Sequence, residues 1–221
     1  MNESALFEHA EYETTPGEQP DYLLDPDILN EDCQSVADWT DGSTGPGVFD
    51  IDPAGQIRMH THESAASNYR SLLSQTPIIP PAKFTVEIST FFDSLGTAAN
   101  IDYLVMVYLQ ISWQLRIHFA SDGLFVVHSP YVPVEVGTNI VKCNSGAEWQ
   151  LWRFQVDKSA GLAFATVEVF LDNVSQGVYD AAYETSTTPR LFRLTLFGYE
   201  TNNMQCHIRS IKIATGLGKI R

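Results

Sequence analysis

Four runs in the last third of the chain restrict its fold more than any other feature. Residues 148–157 read Glu-Trp-Gln-Leu-Trp-Arg-Phe-Gln-Val-Asp, and residues 165–173 read Ala-Thr-Val-Glu-Val-Phe-Leu-Asp-Asn. Residues 194–198 and 208–213 follow as Leu-Thr-Leu-Phe-Gly and Ile-Arg-Ser-Ile-Lys-Ile. Each run alternates or clusters β-branched and aromatic residues and is bounded by Gly, Asn, Asp or Ser. That pattern predicts consecutive antiparallel strands.

The same signal recurs upstream. In residues 84–93, Phe84, Val86, Ile88 and Phe92 fall on one face of a strand, and Thr85, Glu87, Ser89 and Asp93 on the other. Residues 48–52 and 56–60 flank Pro53-Ala54-Gly55 and predict a hairpin. Residues 103–109, 113–119 and 124–128 read as three strands, with Ser121-Asp122-Gly123 as a tight turn. Residues 68–73 predict a strand, after which Pro77, Pro80 and Pro81 interrupt regular pairing. Residues 132–141 add one or two short strands. The sequence shows no 3.6-residue amphipathic helix and no internal repeat. About a dozen short strands with turns every 8–12 residues predict an all-β, two-sheet antiparallel sandwich.

Charge divides the chain of 221 residues unevenly. Residues 1–32 hold 10 of the 27 acids and none of the 13 basic residues. The other 17 acids against 13 basic residues leave −4 out of a net −14. The acidic excess therefore belongs to an N-terminal arm, residues 1–27, ahead of a domain spanning 28–221. The arm reads as a solvated tail or as a docking segment for a neighbouring subunit, which would make the chain a homo-oligomer. Nucleic acid is not an expected partner, since phosphate binding needs clustered Lys and Arg. No apolar run approaches a membrane span, and no secretory leader is visible. Extracellular and virion-associated settings both remain open. Cys33, Cys143 and Cys206 match no zinc spacing, and their odd number argues against a disulfide framework. Each is expected to act as a small buried apolar residue.

Two stretches resemble a known family. Asp32-Cys33 through Trp39, Gly47 and Val48-Phe49-Asp50-Ile51 look like the opening of concanavalin A-like lectin/glucanase domains, laminin G-like modules among them. The runs 149–157, 167–173, 194–198 and 208–213 look like their closing strands. Asn173 stands where Gly is usual, and Asn tolerates the same left-handed backbone. The resemblance covers roughly residues 28–215 and implies a jelly roll. Its members are lectins, glycosidases, polysaccharide lyases and adhesion modules, so it does not choose an activity.

Each chemistry leaves a different trace. Retaining glycosidases need two carboxylates about 5 Å apart, and the family's Glu-x-Asp-x-x-Glu run is missing. Asp50 and Asp52 read as a solvated hairpin end, and Glu87 and Asp93 stand too far apart on their strand to cooperate directly. Alginate-lyase-like members carry Gln-Ile-His and Arg-x-Glu-x-Arg strands. Gln114-Leu115-Arg116-Ile117-His118 is the nearest match to the first, and the second is missing. His118 beside Arg116 suits proton abstraction next to a neutralised uronate; a solvent-facing strand side explains the pair equally well.

Sugar binding needs a planar aromatic with amides, carboxylates or guanidinium groups. Glu87, Tyr108, Gln110, Gln114, Arg116 and His118 share the polar parity, and Arg153 and Arg193 join them from the closing strands. An exposed sheet face without a ligand is the alternative. His60-Thr61-His62 lacks a third zinc ligand. Asp41 and Asp172 lie in loops that suit a structural calcium, without Asp-x-Asp-x-Asp spacing. No cofactor is expected. The leading expectation is a non-catalytic carbohydrate-binding or adhesion module whose partner is a glycan or another protein. The alternatives are a polysaccharide hydrolase or lyase working around Arg116 and His118, and a structural subunit of a surface or phage-like assembly.

Overall fold

The computed structural model describes residues 23–45, 47–61, 68–79, 81–95, 102–110, 113–119, 125–128, 148–159, 164–182, 190–198 and 204–221. In chain order the strands are β1 (Leu23–Leu24), β2 (Leu29–Glu31), β3 (Trp39–Asp41), β4 (Gly47–Ile51), β5 (Ile57–Thr61), β6 (Asn68–Ile78), β7 (Lys83–Leu95) and β8 (Asp102–Gln110). There follow β9 (Trp113–Phe119), β10 (Phe125–His128), β11 (Gln150–Asp157), β12 (Phe164–Leu171), β13 (Val174–Ala182), β14 (Arg190–Gly198), β15 (Met204–Thr215) and β16 (Lys219–Ile220). A single 3-10 turn, Val36–Asp38, is the one helical element among the described residues, and none of them forms a helix long and apolar enough to cross a membrane.

Apart from the short parallel pair of β1 and β16, the strands form two antiparallel sheets. The smaller runs β10-β9-β8-β14-β6-β3. The larger runs β13-β12-β11-β7-β15-β5-β4, with β2 alongside the distal half of β15. The inward parity of each sheet is apolar, so burying both against one another removes the most apolar surface from water. Trp39, Leu72, Phe192 and Leu194 come from the smaller sheet, and Phe84, Val86, Ile88, Trp152, Phe154, Ile211 and Ile213 from the larger; all are buried in one cluster. The rings of Trp39 and Phe192 sit 6.4 Å apart, tilted by 58°. Cys33 and Cys206 are buried and not joined in a disulfide, as expected, and burial pushes the Cys33 thiol well above its ordinary value. Cys143 lies outside the described residues.

Several turns follow their residue chemistry. Asp172 and Asn173 both take positive φ, 49° and 68°, and close the β12–β13 hairpin as a tight two-residue turn. Gly47 is required sterically: a Cβ there would stand 2.4 Å from the His60 carbonyl oxygen. Three features refine the sequence pattern. Trp39 opens a strand and enters the core. Pro77 lies within β6 opposite Leu191, and the expected interruption of regular pairing there takes the form of a register shift between Leu191 and Arg193. Residues 174–182 form a full strand that the sequence pattern left unassigned. The expected turn 121–123 and strands 132–141 lie outside the described residues, as do residues 1–22 of the arm.

The first and last described strands are tied together. Leu23 and Leu24 pair in parallel with Lys219 and Ile220. Beyond β15 the chain turns back over the outer face of the larger sheet. Thr85 Oγ1 donates to the Gly216 carbonyl at 2.8 Å and accepts from Gly218 N at 3.3 Å. Ile220 N donates to Glu87 Oε1 at 3.1 Å.

Candidate functional site

The polar parity divides between the two sheets. Arg193, on β14 of the smaller sheet, stands opposite Tyr108 of β8 and Leu73 of β6. In the next row outward, Thr195 pairs with Met106, Met106 with Arg116 on β9, and Arg116 with His128 on β10. His118 stands opposite Val126, and Gln110 opposite Trp113, next to Gln114. Register thus brings Tyr108, Arg116 and Arg193 into two adjacent rows of one sheet. The side chains of Tyr108, Gln110, Gln114, Arg116 and His118 lie outside the described residues. Thr195 Oγ1 and Ser71 Oγ hydrogen-bond at 2.9 Å in the row beside Arg193.

Glu87 and Arg153 do not join that set. They sit on β7 and β11 of the larger sheet, directly opposite one another. Glu87 is 6% exposed and Arg153 3%, and Arg153 Nη1 lies 3.7 Å from Glu87 Oε1. Arg153 also stacks over the Phe170 ring at 4.1 Å and donates to Asn173 Oδ1 at 3.0 Å. Burial pushes the Glu87 carboxyl above its ordinary value, against the pull of the Ile220 amide and Arg153. This pair anchors the returning C-terminus and leaves no room for a ligand. Strand parity identified the face on which Glu87 lies; it carried no information that residues 216–221 would cover that face.

The uncovered end of the same face holds a constellation that sequence reasoning missed. Phe91 on β7, His207 on β15, Arg58 on β5 and Asp50 on β4 pair in one row across four strands. Arg58 and Asp50 form a two-pronged ion pair at 2.9 and 2.6 Å. His207 is clasped between two carboxylates: Nδ1 lies 2.5 Å from Asp52 Oδ2, and Nε2 lies 2.9 Å from Asp93 Oδ2. Asp52 is not the solvated hairpin end expected of it. Its side chain is 6% exposed against 41% for Asp93, and its Oδ1 accepts from Ala54 N and Gln56 N at 2.8 and 3.0 Å. Burial raises its carboxyl, but these amides and His207 together hold it below its ordinary value. Gln205 Nε2 donates to Asp93 and lies 3.0 Å from His207 Nε2. The buried Asp52 fixes the orientation of the ring and points Nε2 at Asp93 and Gln205. The only sequence signal was the outward parity of His207, two residues from Gln205 and Arg209.

Aromatic contacts extend this row. Phe91 meets His207 edge-on at 5.7 Å and Trp149 at 5.8 Å. The Arg209 guanidinium lies 4.7 Å over the Trp149 ring and donates to Ser89 Oγ at 3.2 Å.

The calcium and zinc candidates are engaged otherwise. Asp41 Oδ1 accepts from Ser43 N at 2.8 Å, and Asp172 Oδ1 accepts from Leu151 N at 2.8 Å. His60 lies on β5, while His62 lies outside the described residues. Among the described residues, no three His, Cys, Asp or Glu side chains group to hold a metal ion.

The two-sheet order and register can be set beside known structures. The carbohydrate recognition domain of Emp46p, in its metal-free form, superposes with a TM-score of 0.55 at 8% identity, covering 86% of this chain and 93% of that one; a potassium-bound form matches equally well. The chain has the concanavalin A-like jelly-roll fold. The globular domain of T. cruzi calreticulin shares it at a TM-score of 0.54 and 12% identity, over 86% of this chain and 88% of that one. So does the endo-beta-1,4-glucuronan lyase of the fungus Trichoderma reesei, at 0.52 and 11%, over 88% and 93%. No protein-family model and no curated protein matches the sequence. At these identities the likeness concerns the jelly roll alone.

Proposed function

We propose that this jelly roll is a carbohydrate-binding module that holds a glycan across the smaller sheet without altering it. The observation that carries the reading is the register of Arg193 opposite Tyr108, with Arg116 in the adjacent row. A guanidinium beside an aromatic ring is the pairing that sugar recognition uses, the ring for the apolar pyranose face and the fork for hydroxyl oxygens. Solved structures of the same fold include a domain described as a carbohydrate recognition domain, which supports the ligand class. A glycan array probed with the full chain tests it. Binding that falls at least tenfold in both Arg193→Ala and Tyr108→Ala, with no release of reducing ends or unsaturated products, supports the module. No binding to any glycan, together with a defined oligomer in solution, would replace it with a structural subunit.

A second reading is favoured by one placement. Arg116 stands opposite His128, with His118 two residues further along β9, so a cation and two imidazole-bearing residues share one edge of the sheet. A polysaccharide-active enzyme would use such a set for proton transfer at a sugar carbon. Unsaturated product that disappears in His118→Ala would establish it.

A further inference from the structure

Arg209 is out of keeping with the charge balance of this chain. Acids outnumber basic residues 27 to 13, and four basic residues around the larger sheet have acidic partners: Arg58 with Asp50, Lys83 with Asp157, Arg153 with Glu87 and Arg221 with Asp25. Arg209 is exposed and pairs with no carboxylate among the described residues. Yet it is not loose. The buried Ser89 hydroxyl holds one Nη at 3.2 Å, and the Trp149 ring fixes the plane of the guanidinium from 4.7 Å. A guanidinium oriented by an indole and a hydroxyl keeps most of its five N–H donors for something else, and its fork matches two oxygens of one anion.

The surroundings specify more than an anion. From Arg209 a continuous strip runs over Trp149 to Phe91 and on to His207, each ring within 6 Å of the next. It ends at the exposed carboxylate of Asp93 and the amide of Gln205. The strip therefore offers an anion-reading fork at one end, aromatic carbon in the middle and a hydroxyl-reading carboxylate and amide at the other. A plain anion would use only the first of these. An oligosaccharide uses all three, because its rings have apolar faces and its edges carry hydroxyls.

We infer that the outer face of the larger sheet, along Arg209, Trp149, Phe91, His207, Asp93 and Gln205, binds an oligosaccharide containing an acidic sugar. The carboxylate or sulfate of that sugar sits on Arg209, and the neighbouring sugar lies along the aromatic rings with its hydroxyls toward Asp93 and Gln205. The buried Asp52 serves as a positioning residue, since it fixes the His207 ring against which Phe91 rests. This surface lies on the opposite side of the sandwich from the site proposed above and depends on that reading only for the ligand class. The net charge of −14 slows the approach of any polyanion, so a short acidic oligosaccharide is the appropriate probe.

The experiment titrates the full chain with three tetrasaccharides, one of hexuronate, one sulfated and one neutral, by calorimetry and by NMR of the arginine Nε–H signals. The acidic forms should bind and shift the Arg209 signal, and more salt should weaken them. Arg209→Gln should weaken acidic binding at least tenfold with the melting temperature unchanged. Arg209→Lys, which keeps the charge and loses the fork, should recover part of the affinity. A response to hexuronate alone or to sulfate alone identifies which anion the fork reads. Equal acidic affinity in Arg209→Gln and wild type would overturn the inference. If Arg193→Gln abolishes acidic binding while Arg209→Gln does not, the acidic sugar belongs to the smaller sheet; this inference then fails and the carbohydrate-binding module stands. If no tetrasaccharide binds, this inference fails, and the glycan array alone decides the carbohydrate-binding module.

Discussion

Asp52 and His207, 155 residues apart in sequence, share a hydrogen bond of 2.5 Å between Oδ2 and Nδ1. Through it the β4–β5 turn is fastened to β15, because the other oxygen of Asp52 already gathers the Ala54 and Gln56 amides. Asp52→Asn keeps an oxygen for the turn and removes the charged acceptor from His207. The expected loss is about 1.5–3 kcal/mol, the usual range for a hydrogen bond to a charged group. Urea unfolding at neutral pH measures it, and an unchanged midpoint would show that the clasp contributes nothing to stability.

Removing Glu87 should be costlier than removing an exposed acid. Glu87→Ala takes the facing carboxylate away from Arg153, which is 3% exposed, and leaves the Ile220 amide without its acceptor. About 3–5 kcal/mol is expected, as for one partner of a buried pair. The double variant Glu87→Met with Arg153→Met should recover much of that loss. Chemical denaturation of the three proteins compares them directly.

The C-terminal return should show itself in the titration of Glu87. Burial raises this carboxyl above its ordinary 4.5, so the fold holds a proton that the unfolded chain releases, and stability falls as pH rises through the window above 4.5. Deleting residues 216–221 removes the Ile220 and Gly218 contacts and admits water. The Glu87 carboxyl should then drop toward 4.5, as followed by carboxyl NMR, and the melting temperature should fall. A Glu87 titration identical in both proteins would show that the tail does not cover it.

Asp157 works in the opposite sense. Hydrogen bonds from the Ser159 hydroxyl and amide, with Lys83 at 2.9 Å, hold its carboxyl down from 3.8 to about 2. The stability it contributes is present above 3.8 and is lost as pH falls toward 2. Asp157→Asn should therefore lower stability at pH 6 and flatten the acid limb of a melting-temperature profile. An acid limb as steep as that of the wild type would assign acid sensitivity to other carboxylates.

The alternation in residues 148–157 places one of two tryptophans in the core, and Trp152 is that residue, 3% exposed. Trp152→Ala should cost about 3–5 kcal/mol. Trp149, half-buried beneath Arg209, should cost clearly less. Thermal melts of the two variants decide the order.

Most of the strand pattern was legible because a two-residue period records which face is buried, and that record is local. Phe84, Val86, Ile88 and Phe92 declared the core side of β7, and Asp172-Asn173 declared a tight turn with left-handed backbone. The candidate site was legible only as a parity. Period-two reasoning gave Glu87, Arg116, Arg153 and Arg193 the same sign, yet Glu87 and Arg153 belong to one sheet and Arg116 and Arg193 to the other. Nor did it foresee that the last six residues would cover Glu87, or that Asp52, Asp93 and His207 would meet. Those outcomes depend on which strands become neighbours and where the chain returns, and the tertiary fold sets both by pairing residues more than a hundred positions apart. By itself the sequence determined the periodicity, the turn chemistry and the all-β class. Which polar residues were buried as partners and which were left facing water was decided by the packing of the two sheets, because burying a charge is tolerable only where the fold supplies its counterpart.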